Sequence, residues 1–161
     1  MQLNRISHDI SVSPQIAPGD LAALKAAGFA SIICNRPDGE GADQPSFEEI
    51  EAVAGLVGLN ARYIPVVAGM VSDNDAEVFG EALRALPGPV LAYCGTGKRA
   101  ATLWSLSQAS HRPMADILAA TKQAGYDMNA VAQRIANGAK TPTDTDTGTG
   151  DGPDTDTGDI R

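Results

Sequence analysis

The stretch Pro89-Val90-Leu91-Ala92-Tyr93-Cys94-Gly95-Thr96-Gly97-Lys98-Arg99-Ala100-Ala101 constrains this chain more than any other. An apolar run ends in a cysteine, two glycines follow within three residues, then two cations, then residues that accept a helix. That order reads as a strand, a tight loop and a helix start. The glycines let successive backbone N–H groups turn inward, and a helix N-terminus adds its partial positive charge. The product is an anion cradle with Cys94 at its base, where the N–H groups, Lys98 and Arg99 favour the thiolate. Cys94 and Arg99 are therefore the candidate catalytic pair, and Gly95, Thr96, Gly97, Lys98 and Ala100 the candidate anion-binding loop. The plain alternative is a buried strand-end cysteine before an ordinary turn. A structural cysteine, however, has no need of a glycine loop, a following arginine and a helix start beside it. An ATP-type phosphate loop fails on spacing: Arg99 stands where that motif has Ser or Thr, and Ala92 where it has its first glycine.

The rest of the chain supplies the frame for such a loop. Ile6, Ile10 and Val12 alternate with polar residues up to Ser13-Pro14, which predicts a short edge strand. Pro18-Gly19-Asp20 opens a helix that stops at Gly28. Phe29 to Cys34 reads as a buried strand feeding the turn Asn35-Arg36-Pro37-Asp38-Gly39-Glu40. Ser46, answered by Glu49 three residues on, caps a helix ending at Gly58. Ala61 to Val67 is the next strand, and Ser72 or Asp73 starts a helix carrying Val78, Phe79, Ala82, Leu83 and Leu86 at a 3.6-residue period. After the Cys94 loop come the helix bearing Leu103, Trp104 and Leu106, then helices over Met114 to Ala124 and Met128 to Asn137. Strands alternating with helices predict an α/β fold with a largely parallel central sheet flanked by helices. In such sheets ligands gather at the carboxyl ends of the strands. The loops 35–40 and 94–99 both lie there, so Asn35, Arg36, Asp38 and Glu40 are pocket candidates. The competing reading is a Pro-Asp-Gly turn whose charges face water and one another.

Bulk properties narrow the partners. The chain has 161 residues, 43% of them apolar, which suits one domain with a proper core. From Lys140 the composition turns to Thr, Asp, Gly and Pro, with six aspartates and one arginine in Thr141 to Arg161. This segment has no apolar surface to bury, so the expected organisation is a domain over 1–139 and a disordered acidic tail over 140–161. Its Asp-x-Asp-x-Gly pieces lack the closing glutamate of a calcium loop. Residues 141–161 carry −5 of the formal charge of −8, leaving about −3 for residues 1–140. Neither part offers a long basic footprint for nucleic acid. The first nine residues have no apolar signal core and no run reaches membrane length, so a cytoplasmic location without a membrane partner is expected. Two cysteines and two histidines, without ligand spacing, predict no disulfide framework, no metal and no cofactor.

The segments Ile32-Ile33-Cys34-Asn35-Arg36-Pro37-Asp38-Gly39-Glu40, Tyr63-Ile64-Pro65-Val66 and Pro89 to Arg99 resemble the phosphatase-like domain of bacterial beta-lactamase hydrolase-like proteins. The resemblance runs from about Ile6 to Ala136 and implies a cysteine-phosphatase-like architecture, with the family's loop cysteine and arginine at Cys94 and Arg99. It implies, too, either of two activities, because the family is associated with both cysteine phosphatases and sulfurtransferases. Two positions depart from it: Gly95 stands where the family has arginine, and Ala100 where serine often follows the loop arginine.

Two chemistries use a thiolate in an anion loop. A phosphatase forms a phosphocysteine and needs an acid for the leaving oxygen. A rhodanese-type sulfurtransferase forms a persulfide and hands its sulfur to an acceptor. Four residues separate Cys94 from Arg99, as in the rhodanese loop, whereas cysteine phosphatases have five. Val66 to Val71, where a phosphatase acid is expected, contains no acid, and Asp73 and Asp75 serve equally as helix caps. Tyr93 replaces the histidine usual before the cysteine, and Ala100 removes a hydroxyl. The sequence therefore favours sulfur transfer through a Cys94 persulfide from a small anionic sulfur donor. The alternative is a phosphatase acting on a phosphorylated substrate. The third reading is a noncatalytic anion or redox sensor in which Cys34 joins Cys94.

Overall fold

The structure, a computed structural model, describes residues 1–138. The expected disorder of 140–161 and the domain boundary at 139 lie outside the described residues. Five strands form one sheet: β1 (Asn4–Arg5), β2 (Ile10–Ser13), β3 (Ser31–Cys34), β4 (Asn60–Tyr63) and β5 (Val90–Tyr93). Their spatial order is β1-β2-β5-β3-β4. β2, β5, β3 and β4 run parallel, and β1 closes one side antiparallel. Among the described residues six α-helices accompany the sheet: α1 (Leu21–Ala26), preceded by a 3-10 turn over Pro18–Asp20, α2 (Phe47–Val57), α3 (Asp73–Ala85), α4 (Lys98–Gln108), α5 (Met114–Gln123) and α6 (Asn129–Ala136). This is the α/β architecture read from the sequence.

Two strand assignments need correction. The strand expected over Ala61 to Val67 runs Asn60–Tyr63 and stops short of Pro65. The segment expected at an edge, β2, is interior: β1 covers its outer side and all four of its residues are buried. Asn4 and Arg5, too polar and too few to signal a strand, provide that cover.

Period-two alternation divides the core into two layers. Ile32, Cys34, Leu91 and Tyr93 face α1 and α2, packing with Leu21, Leu24, Phe47, Ile50 and Ala54. Ile33, Val90 and Ala92 face the other way, onto Phe79 of α3, Leu103 and Trp104 of α4 and Ile117 of α5. Burying each of these large side chains contributes about 1.5–3 kcal/mol, which fixes both layers against the sheet. The helix boundaries follow from local chemistry. Ser46 and Glu49 form the expected reciprocal capping box, each bond 3.1 Å, and Ser72 with Asp75 forms another at 3.0 Å. Gly58, at φ +88°, supplies the left-handed residue that ends α2.

The consequence for function is positional. All four parallel strands end at the same side of the sheet, so the segments after β3, β4 and β5 meet there. Tyr93 O accepts from Asn35 N at 2.8 Å and Asn35 O from Val66 N at 3.0 Å, which stitches the three together.

Candidate active site

Cys94 is the first residue beyond β5, and the chain leaves the sheet there. Gly97, at φ +93°, is the N-cap of α4, so strand, loop and helix occupy only a few residues. Its N–H donates to Cys94 Sγ at 3.1 Å. Thr96 and Lys98 are exposed, Gly95 is half-buried, and Ala100 is buried under the loop. The Cys94 residue itself is fully enclosed.

Arg99 turns back from the first turn of α4 and is 8% exposed. Its Nη1 donates to Glu40 Oε2 at 2.7 Å and to Val66 O at 2.9 Å, while Nη2 donates to Glu40 Oε1 at 2.9 Å. These contacts use three of the five guanidinium protons. The two they leave, on Nε and on the outer side of Nη2, share one edge of the planar group. That edge presents two parallel donors, a geometry that suits two oxygens of a tetrahedral oxyanion. Burial disfavours the Arg99 charge, but the Glu40 bonds and the neighbouring charges of Cys94 and Glu40 outweigh it and raise the Arg99 pKa.

Glu40 is the hinge of this arrangement. Oε1 also accepts from Arg36 Nε at 3.1 Å, so one carboxylate holds two guanidiniums. Burial alone would raise the Glu40 pKa; the bonds and charges of Arg99 and then Arg36 outweigh it and hold the carboxyl below its usual value. Arg36 is further held by Gln15 Oε1 at 3.1 Å. It lies against Gly95, where a Cβ would sit 3.7 Å from Arg36 Nε and 3.4 Å from Arg99 Nη2. A Cβ at 95 would meet both guanidiniums at ordinary van der Waals distance, so Arg36 and Arg99 flank this loop position closely.

The other predicted residues take different places. Asn35 is buried; its Nδ2 donates to Ile64 O at 2.9 Å, and its Oδ1 has no protein partner among the described residues. Asp38 Oδ1 accepts from Phe47 N at 2.8 Å at the start of α2, and Asp38 N donates to Tyr63 Oη. Asp73 pairs with Arg134 of α6 at 2.8 Å, and Asp75 completes the box with Ser72. The structure therefore gathers Arg36, Glu40 and Arg99 around the Cys94 loop, and gives Asp38, Asp73 and Asp75 bonds at helix starts. Cys34 lies in the α1/α2 layer, where burial pushes its thiol up to about 11. The buried Tyr93 hydroxyl lies beside it, and burial likewise moves that phenol well above its usual range. Two contributors escaped sequence reasoning, Tyr126 and Asn4. Tyr126 Oη donates to Thr96 O at 3.1 Å and accepts from Asn4 Nδ2 at 2.9 Å. The available signal was a lone tyrosine in the short Gly125-Tyr126-Asp127 link between two helices. Among the described residues no cluster of His, Cys, Asp or Glu is suited to a metal ion, and no helix is long and apolar enough to cross a membrane.

A parallel sheet with a cysteine loop leading into a helix, and an arginine turned back onto that loop, defines a cysteine-phosphatase-like domain. The model of the beta-lactamase hydrolase-like protein, phosphatase-like domain, matches residues 2–111, and the chain belongs to that family. It is 33% identical over 135 residues to a beta-lactamase hydrolase-like protein of Agrobacterium fabrum, covering 83% of this chain and 31% of that one. A Xylella fastidiosa protein of the same name is 32% identical, covering 67% of this chain and 25% of its own length. The chain thus spans about a third or less of these relatives. Among solved structures, a provisionally named phosphatase of Neisseria meningitidis has a TM-score of 0.76 and 31% identity, covering 85% of this chain and 98% of that one. Tk-PTP in its active form superposes with a TM-score of 0.64 at 17% identity, over 84% and 94% of the two chains. The core catalytic domain of an S. cerevisiae PP-IP phosphatase gives 0.62 at 16%, over 84% and 83%. The last two likenesses carry the fold alone.

Proposed function

We propose that this chain is a cysteine-dependent hydrolase of phosphatase type, which the sequence reading holds as the alternative to sulfur transfer. Family membership and the phosphatase names of its structural neighbours favour it over sulfur transfer. The observation that carries it is the Arg99 edge: Glu40 and Val66 O occupy the far side of the guanidinium, which leaves Nε–H and Nη2–H paired beside Cys94. Two parallel donors match two equatorial oxygens of a phosphoryl group. The loop N–H groups and the α4 N-terminus hold the third.

In this reading Cys94 Sγ attacks phosphorus, the S–P bond forms as the P–O bond to the leaving group breaks, and the electron pair leaves with that oxygen. Water then attacks the phosphocysteine, releasing inorganic phosphate and restoring the thiolate. The Asp73 and Asp75 carboxylates already accept bonds from Arg134 and from the Ser72 backbone N–H, so both are engaged at the start of α3 and neither is assigned the role of general acid. Aryl phosphates, whose oxygens depart as stable anions, are therefore the favoured probes.

The four-residue spacing between Cys94 and Arg99 keeps sulfur transfer as a second reading. One experiment separates the two. The protein is mixed with p-nitrophenyl phosphate or with thiosulfate, quenched in acid and weighed. A Cys94 adduct of about 80 Da with release of p-nitrophenol supports the phosphatase, and a gain of about 32 Da from thiosulfate, without phosphate release, supports the persulfide route.

A further inference from the structure

One peptide unit of the loop is held at both ends. The planar trans peptide between Thr96 and Gly97 points its C=O and its N–H in opposite directions. The N–H end, on Gly97, reaches Cys94 Sγ at 3.1 Å. The C=O end, on Thr96, accepts the Tyr126 hydroxyl proton at 3.1 Å. That hydroxyl has one proton to give, and Asn4 Nδ2, donating to Tyr126 Oη at 2.9 Å, fills its acceptor side and aims the proton at Thr96. Gly97 makes room for this approach, since a Cβ there would collide with the Tyr126 hydroxyl.

From this geometry we propose that Tyr126, set by Asn4, is a positioning residue that fixes the Thr96–Gly97 peptide so that its N–H addresses Cys94 Sγ. Rotation of this peptide would carry the N–H away from sulfur, and the bond at the opposite end resists that rotation. A donor on the carbonyl also polarises the amide, which strengthens the N–H on the far side. The link runs from the edge strand β1, through the connection between α5 and α6, to the loop after β5. Burial, and to a lesser degree the charge of Cys94, pushes the Tyr126 hydroxyl up to about 12 against the lowering effect of Asn4, so the proton stays in place across the working range.

The inference rests on Cys94 being the reacting group of the proposed function, not on phosphorus being its target. Its test therefore begins with the thiolate itself. Ultraviolet thiolate absorbance is titrated against pH for wild type, Tyr126→Phe and Asn4→Ala, each taken as the difference from the same protein carrying Cys94→Ser. Losing the hydroxyl should move the Cys94 midpoint up by roughly 0.5 to 1 pH unit, with Asn4→Ala shifting it less in the same direction. With p-nitrophenyl phosphate, kcat should fall about three- to tenfold while KM stays within about twofold. Asn4 is half-buried in the two-residue strand β1 at the edge of the sheet, outside both core layers, so its variant keeps the test alive if Tyr126→Phe fails to fold. Superimposable titrations in the folded variants overturn the proposal, because a tyrosine that merely packs would leave the sulfur indifferent. A shifted titration in a protein that never releases p-nitrophenol upholds the positioning role and sinks the phosphatase reading instead.

Discussion

Cys34 and Cys94 stand at the ends of adjacent parallel strands, yet the fold makes opposite use of them. Cys34 is the last residue of β3, in register with Tyr93 of β5. It remains within the pleat, points into the α1/α2 layer among Phe47 and Ile50, and donates its S–H to Arg36 O at 3.3 Å. Cys94 lies one residue beyond that register. Alternation turns it from the side that Tyr93 occupies, and the chain curls round it to deliver the Gly97 N–H. One step past the strand end separates a thiol kept protonated by burial from a sulfur met by a donor and a guanidinium. Under the proposed function, what distinguishes Cys94 is the loop and not the strand or the burial, because both residues are buried.

The largest test of that contrast replaces each sulfur in turn. Cys94→Ser should lower p-nitrophenyl phosphate turnover by at least about 10³-fold, since an alcohol at this site is not ionised. Cys34→Ser should leave turnover within about twofold. Steady-state rates with matched melting curves check both, and equal losses would place the two cysteines in one redox or structural unit, as the sensor reading requires.

Arg99 comes next. Arg99→Ala removes the fork and leaves Glu40 without its main partner, so kcat/KM should fall by about 2–4 kcal/mol, roughly 30- to 1,000-fold. Arg99→Lys should recover only part of it, because a point charge does not hold two oxygens in a plane. Full recovery by lysine would show that charge alone suffices and that the edge geometry is incidental.

A smaller effect is expected at Glu40, which touches Arg99 and not the reacting sulfur. Glu40→Gln keeps the shape but weakens both guanidinium contacts, and kcat should fall about three- to tenfold. The pH dependence distinguishes alignment from loss of fold. The Glu40 pKa is depressed in the folded state, so its contribution to stability is fully present above the ordinary carboxyl value of 4.5 and is lost as pH falls through the lower folded value. Melting temperatures of wild type and Glu40→Gln should therefore converge in acid and diverge near neutrality. A constant gap down the acid range would remove Glu40 from this role.

Much of this was legible in the sequence, for physical reasons that also mark where legibility stopped. Ser46 with Glu49, Gly58 and the Cys94 loop are local devices, each complete within a few residues, and each forms as its spacing dictates. The layering follows from alternation in Ile32 to Cys34 and Leu91 to Tyr93. The convergence of the loops after β3 and β5 was readable too, because parallel strands share an end. What failed to show was pairing across distance. Nothing near Asn4 announces that it will bond a tyrosine 122 positions away. Nothing near Glu40 says which of its charges would turn to Arg99 while Asp38 turned to the α2 start. The placement of β2 as an edge failed likewise, because the strand covering it is only two polar residues long.

The smallest effect concerns the silent cysteine and closes the comparison from its other side. Burial raises the Cys34 pKa from 9.0 to about 11, the largest of its influences, with Asp38 and Cys94 adding small raising charges. A thiol raised in the folded state favours the protonated form there, so its contribution is fully present below the unfolded value and disappears as pH climbs from about 9 to about 11. Other buried phenols titrate in alkali as well, so wild type alone would not isolate it. The difference between wild type and Cys34→Ala does. Cys34→Ala should cost about 1 kcal/mol of stability near neutral pH from lost packing, and that gap should narrow across the alkaline window. Iodoacetamide followed by peptide mapping supplies the chemical counterpart: Cys34 should stay unmodified in the native protein at pH 8 and react once the chain is unfolded. Rapid native alkylation of Cys34 would mean that burial does not silence it, and the contrast between the two strand ends would have to rest on something other than the loop.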